Sequence, residues 1–169
     1  MTEKPFLERY DGQTLDELLA LESAYRADSL VLAVEDALGR KAGAAGEAAL
    51  SDPERAVLAV EALEREVNNG GYSQFFFNSS NRFAARIVAD LDAIGCPATA
   101  AITKDAIAAL GLAEPSPEAV EARMETEDEA LEDKLGACDQ AYYAAGEDIA
   151  GRLFAYIRAK RDEIRLPAG

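Results

Sequence analysis

Asn69-Gly70-Gly71-Tyr72-Ser73-Gln74-Phe75-Phe76-Phe77-Asn78 is the stretch from which the architecture of this 169-residue chain is read. Gly70 and Gly71 permit positive φ, so a helix arriving from the amino-terminal side can be left through a left-handed turn that other residues resist. Tyr72, Phe75 and Phe76 then recur at i, i+3 and i+4, which puts three rings on one face of a short helix, where they bury a large area. Phe77 projects elsewhere, so this short helix is expected to be apolar on more than one side and to lie near the middle of the domain. Asn69, Gln74 and Asn78 are its amides; once buried they need partners, because an unsatisfied amide costs about 1–3 kcal/mol. Two arrangements meet that need. The amides cap neighbouring helix ends at a structural corner, or they line a small-molecule or peptide pocket beside the rings.

On the amino-terminal side, Ser51-Asp52-Pro53-Glu54 is a capping box that opens a helix with Val57, Val60, Leu63 and Val67 on its core face. Further back, Thr14-Leu15-Asp16-Glu17 is a second such box. The apolar positions Leu15, Leu18, Leu19 and Tyr25 follow it, and then, in a shifted phase, Val31, Val34 and Leu38. This predicts one bent helix or two consecutive ones ending near Gly39, and a loop over 40–50. On the carboxy-terminal side, residues 78–81 suit a turn. Phe83, Ile87, Leu91 and Ile94 form one helical stripe, and Ile102, Ala106 and Leu110 another. Pro115-Ser116-Pro117 marks a break, Ser116 caps an acidic helix over about 117–135, and Ile149, Leu153, Ile157 and Ile164 define a final helix carrying Arg152, Arg158, Lys160, Arg161 and Arg165. No segment alternates with the period of a strand. The expected fold is all-α, a single compact multi-helix domain over residues 1–169, with a subdivision allowed near 115–117.

Thirty-two acidic residues against seventeen basic ones leave a formal charge of −15. Phosphates are repelled by such a chain, which argues against direct nucleic-acid binding or an anionic membrane and makes a basic protein the natural partner. The absence of histidine removes His-based triads, histidine metal sites and the commonest general base. No catalytic residue, metal or cofactor is assigned. Cys96 and Cys138 match no metal or redox spacing and read as reduced structural thiols. With no apolar run long enough to span a bilayer and no basic-then-apolar leader, a cytoplasmic location is expected.

The pattern Asn-Gly-Gly-aromatic-x-Gln-Phe-Phe-x-Asn, carried here by Asn69, Gly70, Gly71, Tyr72, Gln74, Phe75, Phe76 and Asn78, resembles the hallmark of a bacterial family catalogued as a domain of unknown function, whose named representative is a DNA mimic. Ala93-Ile94-Gly95, Asp139, Tyr142-Tyr143 and Glu147-Asp148 extend the likeness, which covers roughly residues 55–160. The resemblance implies an all-helical, acidic, non-enzymatic protein whose surface carboxylates stand in for DNA phosphates and occupy a DNA-binding protein. The motif itself reads as mainly structural.

Independently of the resemblance, residues 118–133 hold eight acids against Arg123 alone. Glu118, Glu121, Glu125, Glu129 and Glu132 follow a +3, +4, +4, +3 progression, which on one helix forms a stripe roughly 80° wide. Val120, Met124, Leu131 and Leu135 fall opposite, so the helix can dock and still present the stripe. The stripe is either an ordinary solvated face or a partner-binding surface, and the basic residues of the final helix are expected to pair internally with these stripe acids or to favour the helix carboxy terminus. Three functions follow: an acidic protein-binding module, a DNA mimic that sequesters a DNA-binding protein such as a transcription factor; a neutralising, immunity-like partner of a basic toxin or nuclease; and a small-molecule sensor or enzyme at the aromatic motif. Homo-oligomerisation is left open.

Overall fold

A computed structural model describes residues 3–168, and among them every regular element is helical. The elements are α1 (Leu15–Ala20), α2 (Ala27–Ala45), α3 (Asp52–Phe77), α4 (Ile87–Ala93), α5 (Pro97–Ala109), α6 (Pro117–Met124), α7 (Glu129–Ala145) and α8 (Ile149–Ala159), with short 3-10 turns between some of them. They form two compact units, Met1–Leu58 with Asp148–Gly169 and Ala59–Glu147. Pro115-Ser116-Pro117 therefore lies inside the second unit.

In the first unit both expected capping boxes form. Thr14 Oγ1 accepts from Glu17 N at 3.2 Å while Thr14 N donates to Glu17 Oε2 at 2.7 Å, and Ser51 with Glu54 repeats the exchange at the start of α3. The 3-10 turn Leu21–Ser23 separates α1 from α2, which settles the choice between one bent helix and two in favour of two. Helix α2 then runs past Gly39 and Gly43 to Ala45, so the expected end near Gly39 and most of the 40–50 loop are corrected. Alanines around the glycines offset their helix cost, and Gly46 at φ +84° makes the stop.

From the last turns of α2, Lys41 reaches past that stop to Glu54, whose carboxylate is fully buried. It accepts from Lys41 Nζ at 2.7 Å, Arg165 N at 2.6 Å and Ser51 N at 2.9 Å, as a charge removed from water must to be tolerated. Helix α8 packs on α2, and its Ile149, Leu153 and Ile157 are buried. It ends at Ala159, so Ile164 is buried from an irregular tail rather than from the helix.

In the second unit α3 is two helices in one. Gly70 (φ −156°, ψ 19°) and Gly71 (φ +76°, ψ −174°) interrupt it, and residues 72–77 continue as a short helix in a new direction. The positive φ falls on Gly71 alone, in a region open essentially to glycine, whereas Gly70 is constrained by space: a Cβ there would lie 2.2 Å from Gln74 Oε1. Tyr72, Phe75 and Phe76 are fully buried as their spacing requires, but Phe77 is 65% exposed, so the short helix is apolar on one face and solvated on another.

The acidic helix expected over 117–135 is also two helices. Helix α6 stops at Met124 because Glu127 adopts φ +50° and Asp128 begins α7, accepting from Ala130 N and Leu131 N. Arg123 fixes this elbow, donating to Leu110 O, Thr126 Oγ1 and Asp128 Oδ2. Val120, Met124, Leu131 and Leu135 are buried, as their periodicity requires.

Candidate functional site

The new start of helix at Tyr72 leaves an N–H without a helical acceptor, and Asp139 on α7 supplies one at 2.7 Å. The carboxylate lies so close to Gly71 that a Cβ there would meet Asp139 Oδ2 at 2.3 Å, so the second glycine provides both the turn and the room for its cap. Burial raises the Asp139 pKa, the Tyr72 N–H lowers it and Glu132 nearby raises it again, for a net upward shift. The Tyr72 hydroxyl lies 2.7 Å from Thr103 Oγ1, and its pKa is pushed up mainly by burial. Phe76 lies tilted beside the Tyr72 ring, Tyr142 meets that ring edge-on at 6.1 Å, and the Tyr143 hydroxyl donates to Val67 O.

Two of the motif's three amides converge on a residue that sequence reading passed over. Glu66 accepts from Gln74 Nε2 at 2.6 Å, Asn78 Nδ2 at 3.0 Å and Ser80 Oγ at 2.9 Å. Burial acts to raise its pKa, but these three bonds and the charge of Arg65 outweigh it and hold the carboxyl below the ordinary glutamate value. The available signal was position: Glu66 follows Leu63 by three residues, next to the core face of α3, and a carboxylate there requires donors. Asn69 is exposed and joins none of this. The amides thus organise a buried carboxylate rather than helix ends. The helix-end caps come from acids, Asp139 for the short helix and Glu147 for α5, where Glu147 accepts from Ala98 N, Thr99 N and Thr99 Oγ1. Glu64, two residues before Glu66 on α3, has its pKa pushed up to about 7 by burial.

The outer side of the motif borders the elbow. Ser73, Gln74 and Phe77 from the short helix, Asn78 just after it, and Met124, Glu127, Glu129, Glu132 and Asp133 from the elbow and the start of α7, line an open groove of about 750 Å³. Ser73 Oγ donates to Glu132 across it at 2.8 Å. Gln74 and Asn78 therefore serve both the internal carboxylate and the groove.

All five stripe residues, Glu118, Glu121, Glu125, Glu129 and Glu132, are exposed, but they lie on two helices rather than one: Glu118 and Glu121 in α6, Glu125 at its carboxy-terminal cap, Glu129 and Glu132 in α7. Among the described residues none of the five takes part in an ion pair; Arg123, the base within the stretch, is engaged by Asp128. The expected pairing of the final bases with the stripe is corrected for three of them, which pair inside the first unit instead: Arg158 with Glu22, Arg161 with Asp16 and Lys160 with Glu163. No helix among the described residues is long and apolar enough to cross a membrane.

No curated protein matches the chain. The family described as DMP19-like protein matches residues 48–160, a span that holds the Gly-Gly kink, the Glu66 and Asp139 hydrogen bonds, the acidic elbow and the groove between them. With the greater part of its length inside that match, the chain belongs to the DMP19-like family.

Proposed function

We propose that this protein is an acidic binding module that sequesters a basic DNA-binding protein, such as a transcription factor, by presenting carboxylates where that protein would meet DNA phosphates. The observation that supports it best is the availability of the acids: Glu118, Glu121, Glu125 and Glu129 are exposed and have no partner among the described residues, in a chain of net charge −15. Their potential is therefore directed to solvent and to whatever basic surface approaches, raising the association rate at low salt. The elbow at Glu127 bends the row, so a straight phosphate strand is not its template; any mimicry rests on the charge distributed about two helix axes.

The same bend gives some support to a second reading, a neutralising partner of a basic toxin or nuclease, which needs charge complementarity without phosphate geometry. Affinity capture from source cells at low and moderate salt, followed by elution with duplex DNA, separates the two. Release of the captured protein by DNA is the result expected of a mimic, and retention of a basic nuclease despite DNA favours the neutralising role. Replacing Glu121, Glu125 and Glu129 together by glutamine should weaken capture. Undiminished capture by that variant from low to physiological salt would overturn both readings, because screening over about 8 Å acts on a surface of this kind.

A further inference from the structure

Resting on the protein-binding reading, we propose that the groove between the short aromatic helix and the α6–α7 elbow is a docking site for a cationic segment of the partner that inserts one apolar side chain between flanking lysines or arginines. The lining of the groove combines two chemistries. Phe77 presents an aromatic ring that is 65% exposed beside the buried Met124, while Glu127, Glu129, Glu132 and Asp133 supply carboxylates and no basic residue lines the site. An exposed aromatic ring next to a methionine takes an apolar group, and four acids around it reject an anionic one and favour cations on either side.

Size narrows the occupant further. About 750 Å³ is the scale of sites that enclose a drug-sized ligand, enough for one anchor side chain and its neighbours but smaller than the footprint of a folded domain. A loop or helix end of a basic protein meets both conditions. The groove also has a firm wall: Gln74 and Asn78 are held from behind by Glu66, and Ser73 is held by Glu132, so the short helix presents Phe77 from a hydrogen-bonded base.

The chain contains no tryptophan, so a basic peptide with a single central tryptophan between lysines and arginines is a clean fluorescent probe for the full-length protein. Its emission should shift to the blue on binding, and the same peptide with serine at the centre should compete about tenfold more weakly, a factor equal to about 1.4 kcal/mol. Phe77→Ser should abolish that preference while leaving a salt-sensitive residual association and a melting temperature close to wild type. Glu129→Gln with Asp133→Asn should weaken affinity but keep the blue shift at saturation, a second readout should Phe77→Ser fold poorly. Equal competition by the two peptides, or a preference that survives Phe77→Ser, overturns the groove and leaves the acidic-surface reading standing. Displacement of the peptide by spermine at equal concentration overturns the segment proposal in favour of a small polycation. If neither peptide associates even at low salt, the protein-binding reading falls with it.

Discussion

Asp139 lies 67 residues from Tyr72 in sequence, and its hydrogen bond to Tyr72 N explains why Gly71 cannot be replaced cheaply. Gly71→Ala should cost about 2–4 kcal/mol, combining backbone strain in a glycine-only region with displacement of the Asp139 carboxylate. Gly70→Ala should cost less, because Gly70 has negative φ and its Cβ would add only a clash with the Gln74 side chain, without the backbone strain of Gly71; urea melts of the two variants give the order. Two glutamates on α3 should titrate with opposite consequences. Glu66 is held below its unfolded value, so its contribution is present above about pH 4.3 and is lost as pH falls through the folded pKa. Glu66→Gln should therefore lower stability by about 1–3 kcal/mol at neutral pH, with the gap to wild type closing in acid. Glu64 is raised to about 7, so its ionisation removes stability as pH climbs from the unfolded value towards 7. Glu64→Gln should match wild type near pH 4 and melt higher at pH 8. A pH-independent difference for either variant would refute the corresponding assignment.

At the scale of the element, caps were legible and interruptions were not. Thr14, Ser51 and Ser116 each cap the helix that sequence placed after them, because a capping box is a local pattern of side chain and backbone. The acidic stretch deceived the same reasoning: its apolar spacing continues in phase from Val120 to Leu135, and nothing in a 3.6-residue period records that Glu127 has left the helix. Asp128 was the available cue, a capping residue hidden among acids, and Arg123 bonded to Leu110 O makes the elbow a matter of what α6 packs beside. Since a non-glycine residue in the left-handed region is strained, Glu127→Gly should stabilise the protein by about 0.5–1 kcal/mol, visible as a raised melting temperature. A drop instead would mean that the glutamate side chain holds the elbow. Helix α2 shows the converse error, since two glycines and several alanines resemble a loop until Glu54 is found anchoring Lys41 near the helix end.

At the scale of the molecule, net charge predicts a surface and tertiary structure decides which part of it is unpaired. The stripe repels itself less than a continuous helix would, because the elbow removes Glu125 and Glu129 from consecutive turns. Glutamine at Glu121, Glu125 and Glu129 together should leave the melting temperature unchanged or slightly higher, and a fall of more than a few degrees would show that these acids serve the fold. What sequence determined alone was everything carried by short-range periodicity and composition: all-helical class, the core positions Val57, Val60, Leu63, Val67, Tyr72, Phe75 and Phe76, and a surface dominated by acid. What only the tertiary structure decided was which groups meet across long stretches of chain: Glu66 with Gln74, Asn78 and Ser80, Asp139 with Tyr72, and Phe77 with an acidic elbow about fifty residues further on. Periodicity reports the face on which a side chain lies, whereas a buried carboxylate, a kink or a groove depends on what packs against that face, which the spacing of residues along the chain does not encode.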